Sequence, residues 1–446
     1  MKELDFLQDK RITILGLGAT GMSCARYLER QQIPFAVMDS RSCVPAFAEV
    51  NALEQCQGVH LGGWDSDVIA SSDVIIASPG VDVQQPQIHD AVAASAELIG
   101  DVELFIRVNN KPVVALTGSN GKSTVVSLIA HLAKACNINS ILAGNIGVPV
   151  LDTVDDSADI VILELSSFQL EIMSSMRAEV GGILNICDDH LDRHKTMTNY
   201  QAIKQRIYGM SKSFVFNRED VLTYPENAKA QAISFGLQQG KTGHFGLVTT
   251  DKTYISFGDQ SLIAADELPV AGQHNLLNCM AALAYGQLLG WPMAQMLAGL
   301  KTFSGLEHRC QRIESSDGVA WVNDSKATNV GATLAAIDGL APTTNKLVLI
   351  AGGDGKGADF SPLEAALNDR VDTLITLGQD RHALANLKAN TSVVDSMMEA
   401  VRVAKSEAQP GDMVLLSPAC ASIDMYPNYM ARGEDFRRCI EEVLND

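Results

Sequence analysis

Residues 113–124 read VVALTGSNGKST, and the rest of the fold is organised around this stretch. The apolar, strand-prone residues Val113 to Leu116 run into a turn of Gly118, Ser119, Asn120 and Gly121, and Lys122, Ser123 and Thr124 then open a segment with helical spacing. The pattern predicts strand, phosphate loop and helix. Glycines let backbone N–H groups close around phosphate oxygens, a helix N-terminus favours negative charge, the lysine adds a point charge, and the serine hydroxyl can ligate Mg²⁺. The full pattern G-x-x-x-x-G-K-[ST] asks for glycine at position 116, where the chain has leucine. A Gly-rich turn that happens to carry a lysine is the other reading of the same residues.

Towards the N-terminus, RITILGLG (residues 11–18) predicts a buried strand ending in Gly16, Gly18 and Gly21, which fit G-x-G-x-x-G, followed by a helix from Met22 to Arg30. A second strand, Pro34 to Met38, ends at Asp39. That is the order of a dinucleotide-binding unit, with a diphosphate at the helix N-terminus and an acid near a ribose. Arg41 brings a cation to the same place, so a nicotinamide-dependent dehydrogenase and a binder of some other nucleotide both stay open. A strand from Asp73 to Ala77 ends in the turn Ser78-Pro79-Gly80, at the edge where open α/β sheets bind ligands.

Beyond the phosphate loop, Ser140 to Ala143 and Asp159 to Leu163 predict strands; the second delivers Glu164 beside the loop, as a Mg²⁺ site needs. A strand from Gly181 to Ile186 leads into Asp188-Asp189-His190-Leu191-Asp192, where acids can hold the imidazole or share a metal with it. Residues 198–212 read as a helix, and Lys204 in its middle reads as a surface lysine. Residues 214–257 alternate with period two and predict short strands and hairpins. Gly272 to Asn275 cap another helix, and residues 305–309 suggest a hinge. After it come a hairpin containing Trp321 to Asp324 and strands at 346–351, 373–377 and 413–416, with a Gly-rich loop at 352–357.

The expected architecture is α/β, three domains in series: a Rossmann-like domain at residues 1–99, a central P-loop ATPase-like domain with a mostly parallel sheet at 100–304, and a second Rossmann-like domain at 305–446. The 34 basic and 53 acidic side chains give a formal charge of −19, which argues against nonspecific binding to nucleic acid or anionic membranes. Nine cysteines without a C-x-x-C pair read as reduced thiols, and the charged start MKELDFLQDK has no apolar signal region, so a cytoplasmic protein is expected.

TGSNGKST, ELSSFQLE, LNICDDHLDRH, AGQHN, HRCQ, NDSKATN, GGDGKGADF and LSPACASID, in this order and spacing, resemble the Mur ligase family over essentially the whole chain. The resemblance accounts for the half-matched phosphate loop, because the family's own pattern is T-G-x-N-G-K-[ST]-[ST]. It implies an ATP-dependent ligase that adds D-glutamate to UDP-N-acetylmuramoyl-L-alanine through an acyl phosphate, acting as a monomer, with ATP and two Mg²⁺ as cofactors. Gly118, Ser119, Asn120, Gly121, Lys122, Ser123 and Thr124, with Asn275, Arg309 and Asp324, are the implied nucleotide contacts. Ser123, Glu164, His190 and a carbamylated Lys204 are the implied metal ligands, and Lys122, His190, Lys204 and Lys326 the catalytic set. Thr20, Ser40, Arg41, Ser78 and Gly80 are implied at the UDP end, with Asn145, Gln169 and His190 at the muramoyl-alanine end. Lys326, Thr328, Lys356, Ser422 and Tyr429 are implied around D-glutamate, where GDGKG and Tyr429 depart from relatives that can carry serine after the lysine and phenylalanine at the aromatic position.

Overall fold

The structure, a computed structural model, describes residues 4–226, 231–269 and 272–445. Ala271 of the AGQHN motif and the side chain of Asp192 lie outside the described residues.

The strand Ile12–Leu15 is buried along its whole length and lies at the centre of the first sheet. This sheet is five-stranded and all parallel, in the order Cys56–Leu61, Phe35–Asp39, Ile12–Leu15, Val74–Ala77, Glu97–Gly100. Strands covered on both faces read as unbroken apolar runs, which is why the inner three were legible. The outer two were not: Cys56–Leu61 is part exposed, and Glu97–Gly100 opens on an exposed glutamate and a half-buried leucine. Chain order reverses between Ile12–Leu15 and Val74–Ala77, so Gly16 and Ser78 flank the crevice at the switch point. The helix Ala19–Arg30 enters so close to the strand that a Cβ on Gly21 would lie 1.8 Å from the Gly16 carbonyl oxygen.

The central sheet is also all parallel, in the order Ala232–Phe235, Ser211–Asn217, Ala178–Ile183, Val113–Thr117, Ile160–Glu164, Ser140–Gly144. Two expectations are corrected here. The strand expected at 181–186 runs three residues earlier, as Ala178–Ile183, which releases residues 184–186 into the loop over the phosphate site. The hairpins expected across 214–257 are only partly present, because Ser211–Asn217 and Ala232–Phe235 are parallel strands of the main sheet. Among the described residues of this stretch, Phe245–Thr249, Thr253–Phe257 and Gln260–Ala264 form the antiparallel meander. A strand near the edge of a parallel sheet is half covered and alternates much as a hairpin does, so periodicity could not separate the two.

The third sheet has the order Gln311–Ile313, Ala320–Asn323, Met413–Leu416, Leu347–Gly352, Thr373–Leu377, Ser392–Val393. Its first pair is the expected antiparallel hairpin and the remaining pairs are parallel. The expected α/β class with mostly parallel sheets is borne out. One apolar cluster runs without a break from Ile14 and Phe105 to Val161 and Tyr200, so the first sheet and one face of the central sheet share a core. The C-terminal domain keeps two clusters of its own.

Candidate functional site

Three central strands end side by side and set down Gly118, Glu164 and the loop after Ile183 at one sheet edge. The loop between Thr117 and the helix Lys122–Ala135 is pinned from that neighbour. Asn120 N donates to Asn185 Oδ1 at 2.7 Å, and Ser119 Oγ accepts from Cys187 N at 3.0 Å and lies 3.1 Å from Tyr200 Oη. Lys122 folds back over its own loop, Nζ donating to the carbonyls of Gly118 at 2.9 Å and Ser119 at 2.8 Å. Burial lowers its pKa, while the charges of Glu164 and Asp189 work the other way.

Glu164 is 1% exposed, and its Oε1 accepts from Asn145 Nδ2 at 2.8 Å. Its Oε2 is buried with no hydrogen-bond partner. An orphaned carboxylate oxygen in the interior costs free energy unless a cation meets it. Among the described residues no group of three or more His, Cys, Asp and Glu could hold a metal by itself. Mg²⁺ needs no such cage, since it takes one or two carboxylates and fills its remaining positions with water and phosphate oxygens. The donor set of Glu164 with the buried hydroxyl of Ser123 fits that ion.

Lys204 is the clearest correction at this site. It is 1% exposed, not a surface lysine, and its Nζ donates to Thr117 Oγ1 at 3.2 Å and to Gly118 O at 2.9 Å, 4.7 Å from the Tyr200 ring centroid. Burial first, and then Lys122, lower its pKa well below the usual lysine value. His190 has a left-handed backbone, φ 56°, with Nε2 3.7 Å from Asp189 Oδ2 and its ring edge-on to Phe168 at 5.0 Å. His194, which the sequence reading passed over, is buried and stacks on the same Phe168 at 5.2 Å. Its Nε2 lies 2.9 Å from Ser167 Oγ, whereas its Nδ1 has no hydrogen-bond partner.

A cleft of about 630 Å³ opens at the switch point of the first sheet, and Thr20, Ser40, Arg41, Ser78 and Gly80 line it together with Asn145 and Gln169 from the central domain. Arg41 is neither a free loop cation nor a neighbour of a free acid. Its guanidinium forms a bidentate pair with Asp39 at 2.7 and 2.8 Å, and Leu17 N donates to the same carboxylate at 2.7 Å. The pair holds Asp39 down at about 2 and engages both its oxygens, so the ribose acceptor of a nicotinamide site is already occupied. Gln169 Oε1 closes a capping box with Ser166 at 3.0 Å, leaving only its NH₂ group to face a ligand or the buried Asp101, whose pKa burial pushes up to about 6.

A second cavity, of about 870 Å³, lies between the central and C-terminal domains and is lined by Asn120, Gly121, Thr124, Asn275, Arg309, Asp324 and Lys326. Asn278, missed in the sequence, joins them, with Nδ2 3.5 Å from Asn275 Oδ1. Asp324 accepts from Cys310 N at 3.2 Å and Ser417 Oγ at 3.1 Å, and burial raises its pKa to about 7 against the pull of these bonds and of Arg309. Burial likewise lowers Lys326 to about 8, with Arg309 and Lys122 adding to the effect, and its Nζ stands 4.1 Å over the Tyr429 ring. Thr328, Lys356 and Ser422 do not line this cavity; Lys356 is exposed on the Gly-rich loop and Ser422 is buried at the neighbouring one. Asn329 was also missed. It pairs with Asn120 at 3.1 Å and reaches Asp189 at 3.4 Å, bridging the phosphate loop to the C-terminal domain.

Comparison with known proteins gives three family matches: the MurD-like N-terminal domain of Mur ligases at residues 10–100, the Mur ligase middle domain at 116–286 and the Mur ligase glutamate ligase domain at 308–420. A UDP-N-acetylmuramoylalanine–D-glutamate ligase of Colwellia psychrerythraea is 51% identical, covering 99% of this chain and 98% of that protein. One bearing the same name from Shewanella violacea is 46% identical over 98% of this chain and 96% of its own. Among solved structures, the UDP-N-acetylmuramate–alanine ligase of Thermotoga maritima matches with a TM-score of 0.61 at 18% identity, over 97% of this chain and 100% of that one, a likeness of fold alone.

Proposed function

The chain belongs to the Mur ligase family, and we infer from this that it joins D-glutamate to UDP-N-acetylmuramoyl-L-alanine with ATP, in the synthesis of the peptidoglycan precursor. It is an ATP-dependent acid–amino-acid ligase. The observation that best supports the reading is the hydrogen bond from Asn145, which lines the switch-point cleft, to Glu164, which stands at the phosphate loop. The carboxylate end of a precursor lying in the cleft and the γ-phosphoryl of a nucleotide on the loop would meet there.

A carboxylate does not condense with an amine in water until one of its oxygens becomes a leaving group. Transfer of the γ-phosphoryl makes an acyl phosphate and ADP; the amine of D-glutamate then attacks, and phosphate leaves the tetrahedral intermediate. Negative charge develops at both steps, and fixed donors aimed at it do most of the catalytic work. Lys122 would exchange the Gly118 and Ser119 carbonyls for phosphoryl oxygens. Lys326, held over Tyr429, would meet the incoming amino acid, with Thr328, Lys356 and Ser422 around it. Asn275, Asn278, Arg309 and Asp324 would hold the rest of the nucleotide. Mg²⁺ between Ser123 and Glu164, with a second ion toward His190 and a carbamylated Lys204, would neutralise charge on the transferred group. Carbamylation needs a neutral amine, and the buried Lys204 next to Lys122 favours that form.

The same reading divides the chain at residues 99/100 and 304/305, and makes the enzyme a cytoplasmic monomer, since one chain supplies every implied contact. The test is phosphate release measured with the UDP-sugar precursor and a panel of D- and L-amino acids. Release that requires precursor and D-glutamate together supports it; equal turnover with L-glutamate or a diamino acid refutes it.

A further inference from the structure

Arg432 lies in the first turn of the C-terminal helix Tyr429–Asn445 and is 3% exposed. Its Nε donates to Ser325 Oγ at 3.0 Å. One terminal nitrogen donates to the carbonyls of Gly352 and Ala421 at 3.4 and 3.2 Å, and the other to those of Ser325 and Cys420 at 2.8 and 3.1 Å. A guanidinium has five N–H groups in a rigid fork. These bonds use all of them, and none goes to a carboxylate. A cation buried without an ion-pair partner is expensive, so its presence calls for a reason beyond filling space.

The reason lies in which loops it joins. Ser325 precedes Lys326, Ala421 precedes Ser422, and Gly352 opens the Gly-rich loop that carries Lys356. Asp354 and Ala421 exchange both backbone hydrogen bonds, at 3.0 and 2.8 Å, which ties the second loop to the third. Ser325 Oγ donates to the carbonyl of Tyr429 at 2.8 Å, which ties the first loop to the helix. Among the described residues Arg432 is therefore the one side chain bonded to all three loops.

We propose that Arg432 is the positioning residue of the amino-acid subsite, fixing the three C-terminal loops into one pocket for a dicarboxylate substrate. The proposal rests on the reading that Lys326, Lys356 and Ser422 receive D-glutamate. Arg432 touches no substrate itself, because all its donors are engaged.

Full-length Arg432→Lys, Arg432→Met and Ser325→Ala proteins test this through KM for each of the three substrates. Both arginine variants should raise KM for D-glutamate by about tenfold or more, and Ser325→Ala by several-fold, with KM for ATP and the UDP precursor within about twofold of the unaltered enzyme. Lysine should not rescue, since a point charge cannot reach three loops at once. Where an arginine variant fails to fold, Ser325→Ala decides. A D-glutamate KM within about twofold of the unaltered value, an equal rise in all three KM values, or an effect confined to kcat overturns the proposal. If the unaltered chain prefers another amino acid, the functional reading fails, and the same KM comparison is made with that amino acid.

Discussion

Lys122 makes two hydrogen bonds to carbonyls of its own loop, and a phosphate group has to compete with them for the ammonium. Lys122→Ala should leave the fold intact, because a loop contact of this kind contributes little to stability, and should lower kcat by about 10²–10³-fold, as loss of a donor to developing charge does. Unchanged turnover would return the loop to a plain Gly-rich turn. Asp324 sets a pH dependence of known sign. Its folded pKa of about 7 lies above the ordinary carboxylate value, so between the two the folded chain holds a proton that the unfolded chain has lost. Its contribution to stability is therefore full below the ordinary value and falls away as pH rises to about 7. Denaturant titrations of the nucleotide-free protein across that range should show the fall, and Asp324→Asn should reduce it, leaving the share of Asp101, whose pKa of about 6 acts in the same direction. At this scale the sequence told the chemistry of a residue better than its surroundings. Lys122 and Glu164 stand where strands run into loops, so their place was legible, whereas Lys204 sits on a helix whose buried side depends on the Thr117 hydroxyl and the Gly118 carbonyl, far away in sequence.

Helices and strands meet this site at two glycines where nothing larger fits. A Cβ at Gly21 would lie 1.8 Å from the Gly16 carbonyl oxygen, and one at Gly144, φ 102°, would lie 2.3 Å from that of Glu164. Backbone on both sides cannot step aside. Gly21→Ala should cost about 1–3 kcal/mol of stability and weaken binding of the UDP precursor, because it pushes the helix Ala19–Arg30 off the switch-point cleft. Thermal melts with and without precursor would check it, and an unshifted melt with full precursor stabilisation would contradict it. Buried inner strands were readable as apolar runs, and phosphate-loop glycines as turns. The edge strand Cys56–Leu61 was missed, and Ser211–Asn217, one strand in from an edge, was misassigned, because partial cover gives them no clear pattern or the alternation of a hairpin.

Across the whole molecule the apolar cores are divided unevenly. The first sheet and the central sheet share one cluster, while the C-terminal domain packs on its own. Three hydrogen bonds of Asn329, two with Asn120 and one with Asp189, at 3.1–3.4 Å, link it to the phosphate loop and to the loop after Ile183. The C-terminal domain is thus expected to turn as a body on the segment near Gly305, closing over the acyl phosphate to keep water from it. Asn329→Ala should shift small-angle scattering of the ligand-free protein toward a larger radius, and scattering that stays the same with and without substrates would count against such motion. Domain order was readable from the motifs, but which domains share a core was not, since an apolar run does not say what covers it. The claim on which all of this converges is that the chain activates a precursor carboxylate by phosphorylating it. With ¹⁸O in that carboxylate and D-glutamate as acceptor, each phosphate released should carry one labelled oxygen. Unlabelled phosphate, or label found in AMP, would contradict it.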